Sequence, residues 1–160
     1  MEEVISCGLL MYHRTSDDVK VFLVHPGGPY FTKKDDGFWG IPKGLAEKDE
    51  EYLDAAKREF FEETGVTPGD KLIPLGTIMQ NNNTKRVYGW AFECSSDKPI
   101  DITCNTFLME WPPKSGRMQE FPEVDRGCFF GVREAYKKIH TPQAEFIDRL
   151  LNELGTDVKQ

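Results

Sequence analysis

Glu59, Glu62 and Glu63 stand at i, i+3 and i+4. On a helix this spacing puts three carboxylates on one face about a quarter-turn wide. Carboxylates held that close repel one another, a cost that a purely structural helix avoids. A hard divalent cation removes the repulsion and takes oxygen ligands of this kind. Arg58 adjoins Glu59 and precedes Glu62 by four residues, so its guanidinium can brace a ligand carboxylate. The competing reading of the same run is a solvated acidic helix face.

The carboxylates need a helix, and the helix needs a core. Between Gly44 and Gly65 lies a helix-length segment free of Gly and Pro, with Leu53, Ala56 and Phe60 forming an apolar stripe. Ahead of it, Val4–Tyr12 reads as a buried strand and Val19–Val24 as an alternating one. His25–Gly37 is loop by its Pro and Gly density, and Phe38–Ile41 is a short strand. After it, Leu72–Gln80 and Arg86–Glu93 are strands joined across the turn-forming run from Asn81 to Thr84. Ile102–Glu110 is a weaker strand. Trp111–Gly127 is a proline-interrupted loop, and Cys128–Phe130 is a short strand. Val132–Ile139 and Gln143–Leu154 are helical, the latter with Pro142 in its first turn and Phe146, Leu150, Leu151 and Leu154 on one stripe. Strands broken by one helix and closed by others predict a single α/β (α+β) domain over 1–160, with a mixed sheet between helices.

Composition narrows the function. The 160 residues carry 20 basic and 27 acidic side chains, a net charge of −7. That balance argues against broad binding of duplex nucleic acid. It is compatible with a small phosphate substrate, since a bound cation would dominate the local field. Cys7, Cys94, Cys104 and Cys128 are scattered without a CxxC pair, so they read as reduced thiols. The first apolar run is too short to span a membrane and no signal-peptide pattern precedes it, so the expectation is a cytoplasmic protein with no membrane partner, monomeric or homodimeric.

The full spacing is more specific than the acidic triplet. Gly44, Glu50, Arg58-Glu59, Phe60, Glu62-Glu63, Gly65 and Val66 occupy every fixed position of the Nudix box. Such a match arises by chance in roughly one chain in 10⁷ at average residue usage, which sets aside the solvated-face reading. The chain therefore resembles the Nudix hydrolase superfamily. SCGLLMYHR, HPGGP, FWGIPKG and NTFLMEWPPKSGRMQEFPEVDR extend the resemblance, over nearly the whole chain, to a bacterial subgroup of predicted NTP pyrophosphohydrolases. W-x-x-P-K-G is also similar to asymmetric diadenosine polyphosphate hydrolases, although Leu45 stands where a histidine is common in that group.

The resemblance implies an α/β/α sandwich and a Mg²⁺- or Mn²⁺-dependent cleavage of a P–O–P link. It assigns Glu59 and Glu63 as main metal ligands and Glu62 as ligand or base. The backbone at Lys43 and Gly44 would complete the ligand set, Gly65 would stop the helix, and Glu50 would have a structural role. In relatives a later loop supplies a further Glu, for which Glu120 and Glu123 are the candidates. Lys43, Lys114 and Arg117 are candidate phosphate contacts. Tyr30, Phe31, Phe38, Trp39 and Trp111 are candidates for stacking a base or lining the pocket. His25 reads as a strand-end polar residue. The expected substrate is a dinucleoside polyphosphate or an oxidised or other NTP. Nucleotide sugars and capped RNA ends are alternatives, as are a catalytically silent nucleotide sensor and an acidic partner-binding helix.

Overall fold

The computed structural model describes residues 3–156, so the ends of the expected 1–160 domain lie outside the described residues. β1 (Val4–Arg14) is its axis. One edge of β1 pairs in parallel with β5 (Lys85–Glu93) along residues 4–12. The other edge forks: Ser6–Gly8 pair with β3 (Lys43–Leu45), and Tyr12–Arg14 pair with β2 (Val19–Pro26). β4 (Ile73–Gln80) flanks β5, and β8 (Val124–Gly131) flanks β2, giving the order β4-β5-β1-β2-β8 with β3 on β1. The sheet is mixed and six-stranded.

A strand buried on both faces must be apolar at every position, which accounts for the uninterrupted run in β1. Leu10 and Tyr12 face one core with Val21, Leu23, Phe146, Leu150 and Leu151. Cys7, Leu9 and Met11 face the other with Phe22, Ala55, Ala56, Phe60 and Phe92. The helix α1 (Tyr52–Thr64) covers the second core. α2 (Val132–Lys138) and α3 (Ala144–Leu154), the latter entered through a 3₁₀ turn at Thr141–Gln143, cover the first. Three layers result: helix, sheet, helix.

Several boundaries differ from expectation, each for a physical reason. Phe38–Ile41 is not a strand; Trp39 and Gly40 make isolated bridges to Ile139 and Val24, and the ladder begins at Lys43. The helix occupies only the second half of the 44–65 segment, because 46–51 is a turn held by polar contacts described below. Of the predicted apolar stripe, Ala56 and Phe60 are buried with Ala55, whereas Leu53 is half-buried. The expected 102–110 strand is confined to β6 (Thr106–Glu110). The 111–127 stretch is largely not loop: β7 (Met118–Pro122) folds back on β6 as a separate two-stranded sheet, and β8 starts at Val124. Glu110 closes that hairpin by accepting the amides of Lys114 and Gly116 at 2.9 and 3.1 Å, side-chain to backbone bonds within the turn. The four cysteines are free thiols. Among the described residues, no helix is long and apolar enough to cross a membrane.

Candidate active site

The carboxylate-bearing face of α1 meets the fork in the sheet. A Cβ placed on Gly44 would stand 2.1 Å from the Glu59 carboxyl carbon, so any side chain here displaces that carboxylate. The need is for space rather than for a special backbone angle. Gly8, opposite Lys43 in the β1–β3 ladder, does the same for the backbone: a Cβ there would lie 2.6 Å from Pro42 O. Gly65 answers a conformational need instead, ending α1 in the left-handed region at φ 78° with its amide donating to Phe61 O.

Arg58 holds the acidic cluster together. Its Nε and Nη2 donate to the two oxygens of Glu50 at 2.9 and 3.0 Å, a bidentate fork. Nη1 donates to Glu59 at 2.8 Å and to Glu62 at 3.1 Å, and Nη2 also reaches Leu45 O at 3.1 Å. Glu50 Oε1 accepts the Glu47 amide at 2.9 Å, so one salt bridge ties the 46–51 turn to the helix. The Arg58 guanidinium, followed by the Glu47 amide, holds the Glu50 carboxyl down to about 2.

The other carboxylates feel the opposite force. Burial raises Glu59 against the pull of Arg58, and the charges of Glu62 and Glu123 add to the rise. Glu63 is raised strongly by burial, with Glu59 and Glu123 contributing and Lys43 opposing. Its Oε1 accepts the Lys43 amide at 3.3 Å. The Lys43 ammonium is in turn pushed down, first by burial and then by the nearby Lys85. Glu123 belongs to this cluster through space although it lies sixty residues on. It sits between β7 and β8, where its backbone is pinned by Asn105 O and by the Gly27 amide.

The cluster opens into a cleft of about 430 Å³ lined by Lys43, Glu63 and Glu123. Phe31, Phe38, Gln80, Asn81, His140 and Gln143 form other parts of its wall. A larger depression, about 690 Å³, lies between the 16–19 turn and α2 and contains none of the acidic cluster. Volume alone does not mark the site.

The structure divides the remaining candidates. Trp39 does not line the cleft: it is buried, donates through Nε1 to Asp35, and meets His25 and Phe130 edge to face. Phe38 beside it does line the cleft. His25 is fully buried and fixes the 26–37 loop through Lys34 O and Asp125. Tyr30 packs edge-on against Trp111, 5.2 Å between ring centres, joining that loop to the β6–β7 hairpin. Lys114 and Arg117 are exposed near the hairpin turn, and Glu120 is exposed on β7, outside the cleft lining. Gly8, Gln80 and Gln143 went unnoticed in the sequence. Gln80 carries one weak signal there, an amide ending an otherwise apolar strand.

Whether these groups suit a divalent cation can be judged from their chemistry. The donors are hard oxygens, their mutual repulsion and burial favour a positive guest, and Gly44 leaves the approach to Glu59 open. They fit. Among the described residues, no three His, Cys, Asp or Glu side chains are already gathered closely enough to hold one. Arg58 engages one oxygen each of Glu59 and Glu62 and leaves the other oxygen of each without a side-chain partner among the described residues.

Comparison with known proteins defines the class. The family model for the NUDIX domain matches residues 8–150. The chain belongs to the NUDIX family and is a Nudix hydrolase. The NUDIX domain of Shewanella oneidensis NrtR, solved with ADP-ribose, is similar in structure at TM-score 0.69 and 15% identity, over 96% of this chain and 90% of that one. A C. elegans Ap4A hydrolase binary complex gives TM-score 0.66 and 17% identity, over 95% of this chain and 98% of that one. A NUDIX hydrolase from Nitrosomonas europaea gives 0.65 and 20%, over 95% and 90%. A comparison with curated protein sequences yields no match.

Proposed function

We propose that this chain is a Mg²⁺- or Mn²⁺-dependent pyrophosphohydrolase that cleaves a P–O–P bond in a nucleoside diphosphate derivative, a dinucleoside polyphosphate or an NTP. The observation that carries the reading is one juxtaposition: Glu59 and Glu63 beside the Lys43–Gly44 backbone, with Glu123 facing them, at a cleft of about 430 Å³. That volume suits a nucleotide-sized ligand.

In this reading the metal is held by Glu59, Glu62 and Glu63 with backbone oxygen at Lys43–Gly44. When bound, it neutralises the diphosphate and lowers the pKa of attacking water. The protein does the rest. Arg58 orients Glu59 and Glu62 through a single nitrogen, and its fork to Glu50 keeps that nitrogen in place. The Lys43 side chain, at the cleft wall, contacts phosphate. Glu123, rather than Glu120, is assigned the role of accepting a proton from water; its position in the cleft with Glu63 supports this reading. Lys114 and Arg117 would meet only a long phosphate chain that reaches the hairpin.

ADP-ribose, the ligand of the NrtR domain complex, makes nucleotide sugars the competing substrate class. Incubation of the purified protein with dinucleoside polyphosphates, NTPs, ADP-ribose and capped RNA, with Mg²⁺ or Mn²⁺ and product masses determined, tests the proposal. Metal-dependent release of a nucleoside monophosphate or pyrophosphate supports it. Turnover of ADP-ribose alone moves the assignment to nucleotide sugars. Nucleotide binding without turnover of any substrate overturns it.

A further inference from the structure

In the wall of the same cleft, two buried amides form a relay with a fixed direction. The Ile41 backbone N–H donates to Gln143 Oε1 at 2.9 Å, which turns Gln143 Nε2 the other way. That nitrogen donates to Gln80 Oε1 at 3.3 Å. A Cβ on Gly40 would lie 2.8 Å from Gln143 Oε1, so the glycine leaves room for the relay. A backbone amide can only donate, so neither carboxamide can reverse without losing a bond. The end of the chain is therefore Gln80 Nε2, which carries two hydrogens and has no hydrogen-bond partner among the described residues.

Gln80 is 8% exposed and lines the cleft. Among the described residues, the only fully enclosed side-chain nitrogen or oxygen left without a partner is Ser6 Oγ, so the Gln80 nitrogen retains an opening to the cleft. The same cleft supplies aromatic surface. Phe31 and Phe38 are 37% and 41% exposed with ring centres 6.3 Å apart, and both line the same cleft. Exposed aromatic rings and a pair of fixed donors lining one cleft suit the face and the edge of a nucleobase.

We infer that Gln80, oriented by Gln143, is a specificity residue that selects 6-oxopurine nucleotides over adenine nucleotides; this rests on the pyrophosphohydrolase reading above. A 6-oxopurine presents two neighbouring acceptors, O6 and N7, whereas adenine replaces O6 with an amino donor. Adenine N7 can still accept one Gln80 hydrogen, but the other meets the amino group donor to donor, so one bond is lost and one donor is left unpaired. Gln143 is a positioning residue: it fixes which atom of Gln80 faces the base.

The test compares kcat/KM for guanosine, inosine and adenosine substrates with the same phosphate chain, in the parent, Gln80→Glu and Gln80→Met. The parent is expected to prefer guanosine and inosine alike by about tenfold or more over adenosine, the scale of one hydrogen bond lost and one donor left unpaired. Gln80→Glu preserves an acceptor for Gln143 and offers the cleft an acceptor, so the preference should disappear or invert. Gln80→Met removes the donors without adding charge, and the guanosine-to-adenosine ratio should fall toward one. A parent ratio near one or favouring adenosine overturns the inference, as does an unchanged ratio in both variants. Should no nucleotide be hydrolysed, the pyrophosphohydrolase reading fails separately. Calorimetric Kd values for GDP and ADP with Mg²⁺ then decide the base preference: tighter GDP supports it and equal affinity overturns it.

Discussion

Two charged regions of this molecule are built on different principles. In the 44–65 segment each functional carboxylate is half-buried and has a partner or a near neighbour: Glu59 and Glu62 share Arg58, Arg58 is clamped by Glu50, and Glu63 takes the Lys43 amide. In the 106–122 hairpin the charges of Lys114, Arg117 and Glu120 stand in solvent, and Trp111 at its turn packs against Tyr30. The first region holds geometry at the expense of electrostatic tension. The second fixes its backbone through β6–β7 pairing and leaves those charged side chains exposed. On the proposed function, the preorganised groups would carry catalysis and the exposed ones would adjust affinity.

The largest expected effect breaks the clustered region outright. Glu59→Gln and Glu63→Gln should each lower kcat by about 100-fold or more, roughly 2.7 kcal/mol of barrier, with melting temperature near that of the parent. Single-turnover rates at saturating Mg²⁺ check this, and losses under about tenfold in both would place the metal elsewhere.

Next comes Gly44→Ala. Its methyl must displace the Glu59 carboxylate or push β3 from α1, so kcat should fall by about tenfold to 100-fold and stability by about 1–3 kcal/mol. Urea denaturation alongside kinetics separates the two, and normal values for both would mean that Glu59 does not need its observed position.

Arg58→Lys sharpens the comparison, since an ammonium cannot replace the fork to Glu50 while also touching Glu59 and Glu62. Mg²⁺ affinity should weaken about tenfold, with KM for nucleotide changed less. Coincident metal titrations with a raised KM would make Arg58 a phosphate clamp.

The hairpin should respond least. Glu123→Gln, at the cleft, is expected to cut kcat about tenfold, whereas Glu120→Gln should change it less than about twofold. Lys114→Ala and Arg117→Ala should raise KM by about twofold to fivefold, more for longer phosphate chains. Equal losses for Glu120 and Glu123 would erase the distinction between the regions.

Local chemistry alone identified the parts that one stretch of chain can build. The helix face bearing Glu59, Glu62 and Glu63 follows from a period of 3.6 residues, and the doubly buried β1 from an unbroken apolar run. The family follows from the identities and spacing between Gly44 and Val66. Each depends on neighbours within a turn or two, and such information is linear. What required the tertiary structure was every relation between distant residues. Glu120 and Glu123 are indistinguishable by type and position in sequence, yet a chain reversal at 111–117 and the Glu123–Asn105 and Gly27–Glu123 backbone bonds bring only one of them to the cleft. Trp39 and Phe38 are adjacent, and the bridge to Ile139 decides which faces the core. The Ile41–Gln143–Gln80 relay joins residues up to 102 positions apart, so its direction exists only once the three have met. A side chain's type is encoded locally, but its orientation is set by partners that the fold supplies.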